Sequence, residues 1–326
     1  MTKHGCYDRL KAMIKRVMCA LILCFAFSQV AFAFWVWTPE SKKWTNPKYA
    51  PKESPAEQFT FAKSYYDAKD YLTAYKEFKK LIKYYSDALQ APEAQYYMGL
   101  CLEEMEKYYD AYQAYQRIID KYPFSSRMED VLQREYIVAQ KLLDYKTNVV
   151  GIEFTGDSTA IEIFQKIIAN APYGKYAPAS QYKIGLVYKA KAFFQEASQE
   201  FQKVLDSYPN SEWAEPAKFQ IALCAASSSP GPSYDQTLTQ EAKDKFDEFI
   251  KSHPEAELSQ DARERVVELN EQEAESNYQI GLFYEKQKAY ESAKIYYRYC
   301  INKFPRSKWA GESLERIKVM ETKEMK

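Results

Sequence analysis

The chain has 326 residues, 45 Lys+Arg balanced by 45 Asp+Glu, 9 glycines and two histidines, His4 and His253. Balanced charge argues against a nucleic-acid binder, which usually shows a basic excess. Glycine far below the usual share of about 7% argues against Gly-rich phosphate loops, and two histidines leave little room for a His-based triad or metal site. With 29 Tyr and 18 Phe the chain can bury a large core. At about 100–200 residues per domain, its length fits two globular domains or an elongated array of small units.

Lys3, Arg9, Lys11, Lys15 and Arg16 form a basic start, followed by the apolar run Val17 to Phe27 and the small-residue motif Ala31-Phe32-Ala33. This order predicts a secretory signal peptide over residues 1–33, cleaved after Ala33. An uncleaved anchor is the alternative, since apolar character runs on to Trp37, but Ser28 and Gln29 interrupt it. Cys6, Cys19 and Cys24 do not stand in lipobox context, so the leader gives no signal for lipid attachment. The cysteines that remain, Cys101, Cys224 and Cys300, are odd in number and cannot all pair internally. They fall at apolar helical positions without CxxC or Cys/His spacing, which predicts buried free thiols and no metal site.

Residues 34–58 hold three of the five tryptophans, Trp35, Trp37 and Trp44, separated by Pro39-Glu40-Ser41-Lys42. An aromatic hairpin that brings Trp44 opposite the first pair is expected. Its two readings are a cap on the first helical unit and a docking strand for a partner or a membrane interface.

From residue 59 the sequence repeats. Gly99-Leu100-Cys101-Leu102, Gly185-Leu186-Val187-Tyr188 and Gly281-Leu282-Phe283-Tyr284 each lead, nine residues after the Gly, to Tyr108, Phe194 or Tyr290. Ala111, Ala197 or Ala293 follows twelve residues after the Gly, then Tyr115, Phe201 or Tyr297, and Pro123, Pro209 or Pro305 twenty-four residues after it. Ala62, Tyr71, Ala74 and Phe78 make a first unit; Ala160, Phe164 and Pro172, then Ala242, Phe246 and Pro254, mark the back halves of a third and a fifth. This is the tetratricopeptide frame of paired antiparallel helices with a nominal period of 34 residues. It predicts an all-α superhelical solenoid of about six units: 59–173 the N-terminal units, 174–312 the later ones, and 313–326 a helix end or tail. Small residues let the helices approach, rings fill the space beside them, and proline ends the second helix.

Three long gaps in the frame require insertions. Residues 148–156 are expected as a non-helical stretch inside the third unit, and 227–235 as a Ser/Pro/Gly loop inside the fifth. The third lengthens the first helix of the sixth unit, from about Ser259 to Lys288.

No nucleophile elbow, Walker loop or H-E-x-x-H motif occurs. No catalysis, cofactor or metal is expected, and Glu103-Glu104-Met105-Glu106 reads as a solvated helix face. What remains is binding along the concave surface. Projecting the first-helix positions outward selects Tyr66, Asp67, Tyr96, Glu103, Tyr182, Lys189, Tyr278 and Glu285 as partner or peptide contacts, because tyrosine offers rigid area with a polar tip. The competing role for these tyrosines is packing between helices.

Residues from about 174 to 312 resemble the BamD-like outer-membrane protein assembly factors. The resemblance rests on Tyr234-Asp235-Gln236, Ala242 with Phe246 and Phe249, His253-Pro254, Glu273-Ala274, Gly281-Leu282-Phe283-Tyr284, Ala289-Tyr290 and Lys303-Phe304-Pro305-Arg306-Ser307. It implies a periplasmic scaffold at the inner side of the outer membrane, close to the membrane without spanning it. The partners it implies are the barrel-forming subunit and extended segments of unfolded outer-membrane clients, with no nucleic acid. The alternative is a periplasmic adaptor for envelope division or polysaccharide export, which also use such arrays.

Overall fold

A computed structural model describes residues 36–38, 43–45, 50–144, 146–149, 152–228, 231 and 236–324. The expected signal peptide lies outside these residues. The chain divides into two compact units, Met1–Cys101 and Leu102–Lys326.

In the first unit, β1 (Val36–Thr38) pairs antiparallel with β2 (Lys43–Thr45), and Trp37 stands directly opposite Trp44. The expected aromatic hairpin therefore forms. Helix α1 (Pro55–Asp67) starts at Ser54, whose Oγ accepts the Glu57 N–H at 3.2 Å, with a proline at the first helical position, where no N–H is needed. Helix α2 (Tyr71–Tyr84) returns antiparallel to it, and α3 (Ala91–Glu104) begins the next pair. Phe78 of α2 stacks on Tyr97 at 5.3 Å between ring centres, and Phe59 closes on both.

The second unit continues with α4 (Tyr108–Lys121), α5 (Met128–Asp144), α6 (Asp157–Asn170), α7 (Ala177–Ala190) and α8 (Phe194–Ser207). It is completed by α9 (Ala214–Ser227), α10 (Thr237–Ser252), α11 (Glu257–Lys286), α12 (Tyr290–Lys303) and α13 (Lys308–Glu324). Second helices of the pairs bury the same stripe at i, i+4 and i+7: Ala111, Tyr115 and Ile118 in α4; Ala197, Phe201 and Val204 in α8; Ala293, Tyr297 and Cys300 in α12. That spacing gives one apolar face to a 3.6-residue helix. Consecutive pairs stack through it into an all-α tetratricopeptide fold. Cys101, Cys224 and Cys300 are buried free thiols.

Each short turn within a pair uses one left-handed residue seven positions after the small residue of the first helix. Lys69, Glu106, Ala192 and Lys288 have φ of 58–60°, although none is glycine. The second helices end at aromatic caps such as Tyr122, Tyr208 and Phe304, just before the prolines that cannot extend them.

The frame glycines have a specific cause. A Cβ on Gly185 would lie 2.6 Å from the Phe201 ring, and one on Gly281 would lie 2.6 Å from the Tyr297 ring. The ring of the second helix thus rests directly on the bare backbone of the first. Gly281→Ala is expected to destabilise the second unit by about 1–3 kcal/mol through overpacking, measured as a lowered urea midpoint with an unchanged slope.

Two insertions take definite form. The stretch 148–156, expected to be non-helical, overlaps a β-hairpin in which β3 (Lys146–Val149) pairs antiparallel with β4 (Ile152–Thr155). The long helix of the sixth unit spans Glu257–Lys286, 30 residues, about twice the length of the other first helices. The loop of the fifth unit lies largely outside the described residues. Among the described residues, no helix is long and apolar enough to cross a membrane.

Candidate binding groove

The first helices of the pairs carry the expected contact residues, three in the first unit and five in the second. In the first unit, Tyr66 is half-buried and edge-on to Tyr71 and Tyr97; Tyr96 is half-buried beside Tyr97; Asp67 is exposed and pairs with Lys63 at 2.8 Å.

In the second unit, Tyr182 packs against Phe201 and Trp213, and Tyr278 packs against Tyr297 and Trp309 in the same geometry. Both rings are buried, so their area serves helix packing. Glu103 and Glu285 are buried as well, each inside a three-part clamp. The Glu103 carboxylate accepts the Tyr115 O–H at 2.5 Å and the Arg134 Nε–H at 2.8 Å, and closes a second bond with the same guanidinium. Glu285 accepts from Tyr297 at 3.0 Å and from Arg316 Nε at 2.9 Å, again with a second guanidinium bond. In both clamps the tyrosine stands 12 and the arginine 31 residues after the glutamate. A forked guanidinium bond fixes geometry as well as charge, so each clamp sets how one pair sits on the next.

The middle copy of this arrangement differs. The position of Glu103 and Glu285 is taken by Lys189, that of the tyrosine by Phe201, and that of the arginine by Gln220. Lys189 Nζ donates to Gln220 Oε1 at 2.5 Å. The phenylalanine offers no hydroxyl and the glutamine no charge. Lys189 is half-buried, and no carboxylate among the described residues lies within ion-pair reach of it.

Lys189 also lines a cavity of about 420 Å³ with Leu223, Ala226 and Ser227 of α9 and Arg265, Glu268, Leu269 and Gln272 of α11. The depression continues as a second cavity of about 230 Å³ past Phe219, Asp261 and Glu264. Together they form one groove between α9 and the N-terminal half of α11. Its floor is apolar; Lys189 lines one end and Asp261 and Glu264 the other, and the mutually paired Arg265 and Glu268 line both. The frame arithmetic selects Lys189 but misses the α11 wall. The available signal was the overlong helix, which brings side chains to the groove that the 34-residue period does not number.

Behind the groove, Glu273 of α11 joins two cations. Lys243 of α10 donates to it at 2.8 Å and Lys303 of α12 at 2.9 Å. Burial pushes the Glu273 carboxyl up, but the two ammonium groups outweigh it and hold the carboxyl below its ordinary range.

Paired helices of this pattern define a tetratricopeptide fold. The tetratricopeptide sequence profile matches residues 93–125, and residues 145–325 match the family described as outer membrane lipoprotein, YfiO. The chain belongs to that family. It is also similar to the outer membrane protein assembly factor BamD of Caulobacter vibrioides, 22% identical over 142 residues, or 44% of this chain and 47% of that protein. The chain thus aligns with about half the length of that curated relative. Two solved tetratricopeptide structures are also similar. One is the C-terminal part of a repeat protein from Cytophaga hutchinsonii, at 20% identity over 81% of this chain and 88% of that one, with a TM-score of 0.41. The other is a repeat protein from Parabacteroides merdae, at 14% identity over 80% and 97%, with a TM-score of 0.37.

Proposed function

We propose that the chain is a non-enzymatic periplasmic scaffold in outer-membrane β-barrel assembly, holding the barrel-forming subunit, extended client segments, or both. The observation that carries this reading is the family match over residues 145–325. It coincides with the part of the chain that forms the groove. The similarity to an assembly factor over residues of the same chain supports the process.

The proposed contacts are those selected by the frame, taken unit by unit: Tyr66, Asp67 and Tyr96 in the first, Lys189 in the second. Glu103, Tyr182, Tyr278 and Glu285 support them from within the packing. The clamps commit Glu103 and Glu285 to arginines. The chain works close to the inner face of the outer membrane after cleavage at Ala33, and N-terminal sequencing of the exported protein is expected to begin at Phe34.

The test is affinity purification of the full chain from cross-linked envelopes. Recovery of a barrel-forming protein with periplasmic repeats is expected. Recovery of division or polysaccharide-export proteins alone would overturn the reading in favour of an adaptor.

A further inference from the structure

The groove between α9 and α11 borders Lys189, which of the three equivalent residues Glu103, Lys189 and Glu285 is the one without an opposite charge beside it. Two copies of the clamp position hold an acid neutralised by an arginine. The third holds Lys189, whose hydrogen bond to Gln220 supplies no opposite charge. The bond to Gln220 satisfies one N–H of the half-buried ammonium, and an ammonium has three to give, so Lys189 can still donate to an incoming carboxylate. Lys189 lines a cavity with Leu223, Ala226 and the buried Leu269, where the remaining charges, Arg265 and Glu268, pair with each other.

The far end of the groove has the opposite character. Asp261 and Glu264 are exposed there, while Arg265 is occupied by Glu268 at 2.7 Å. From Phe219 to Ala226 on α9 and from Asp261 to Gln272 on α11, a rise of about 1.5 Å per residue gives a length of about 10–16 Å. An extended chain advances about 3.3 Å per residue, so about three to five residues fill it.

We propose that this groove takes an internal, extended segment of a partner protein. Such a segment carries a glutamate or aspartate seated at Lys189 and apolar side chains over Leu223 and Leu269. A lysine or arginine about four residues away faces Asp261 and Glu264. The proposal rests on the reading of the concave face as a binding surface and adds the chemistry of what it binds. Charge complementarity selects this occupant: an apolar helix leaves both ends unmet, and a uniformly acidic or basic segment meets one end and is repelled at the other.

The test uses fluorescein-labelled heptapeptides, acetylated and amidated so that no terminal charge remains. They carry glutamate and lysine four positions apart with valine and leucine between, in both orders, and are titrated against the full chain by anisotropy. Saturable binding of one order is expected. Lys189→Glu should weaken it at least tenfold and Lys189→Gln severalfold, with unchanged helical circular dichroism. Replacing the peptide's glutamate by lysine should restore binding to the Lys189→Glu protein. Unaltered affinity in Lys189→Glu, or no saturable binding of either order, overturns the proposal. So does a peptide whose free C-terminal carboxylate outcompetes the capped one. The envelope purification reads the identity of the partner and the peptide titration reads the groove, so failure of either is distinguishable from failure of the other.

Discussion

Glu135→Ile is expected to raise the stability of the second unit by on the order of 3 kcal/mol at pH 7. Glu135 stands on α5 where the frame places Ile221 on α9 and Ile317 on α13, both buried apolar residues. It is fully buried itself: Oε1 accepts from Gln116 Nε2 at 2.7 Å, and Oε2 has no partner among the described residues. Burial pushes its carboxyl up to about 8, with the Gln116 hydrogen bond opposing and Asp120 adding to the shift. A raised value means that the folded chain keeps a proton the unfolded chain releases. Its contribution is intact below the unfolded value of 4.5 and is lost as pH rises through about 8. The gap between 4.5 and 7, at about 1.4 kcal/mol per unit, gives the magnitude. Isoleucine removes the group, and half-buried Gln116 can turn to water. Urea unfolding at pH 5, 7 and 9 checks it. The variant should lead by a margin that widens with pH, and parallel profiles would refute the assignment.

Glu273→Gln should cost about 3 kcal/mol, the low end of what breaking a buried ion pair costs. It leaves Lys243, buried between α10 and α11, facing a neutral amide. Lys303 is 41% exposed and can turn outward, which keeps the loss from being larger. The sign of the pH dependence is opposite to that at Glu135. A depressed carboxyl contributes stability that is present above its unfolded value and disappears as pH falls through the folded one. Wild type and variant should therefore converge in acid and separate toward neutrality. A constant difference across the acid limb in thermal melts would show that the effect is packing.

The repeat was legible because its cause is local and periodic. Ala111, Tyr115 and Pro123 recur at fixed offsets since each pair solves the same packing problem. The hairpin at Trp37 and Trp44 was readable from two aromatic runs flanking a turn. The hairpin β3–β4 was not, because its short strands sit in an insertion that the period does not number. The clamps were half visible. Glu103 and Glu285 were selected as surface contacts, but their arginines lie 31 residues on, beyond the reach of any pattern within one pair. The same distance hid the exchange of Tyr and Arg for Phe201 and Gln220, which accompanies the exchange of glutamate for Lys189.

Helix α11 enters the cores on both sides of its midpoint. Ala262 and Leu269 in its first half pack with Phe219, Ala222 and Phe246, while Tyr278 in its second half packs with Ala293, Tyr297 and Ile317. Repeat arrays ordinarily melt one module at a time, since each touches only its neighbours. Here one continuous rod is the property of two modules, and fraying at the C-terminal end must either break that rod or travel through it. The last two repeats are thereby joined into a single cooperative block, and force or thermal motion applied to the final hairpin is felt directly by the wall of the groove.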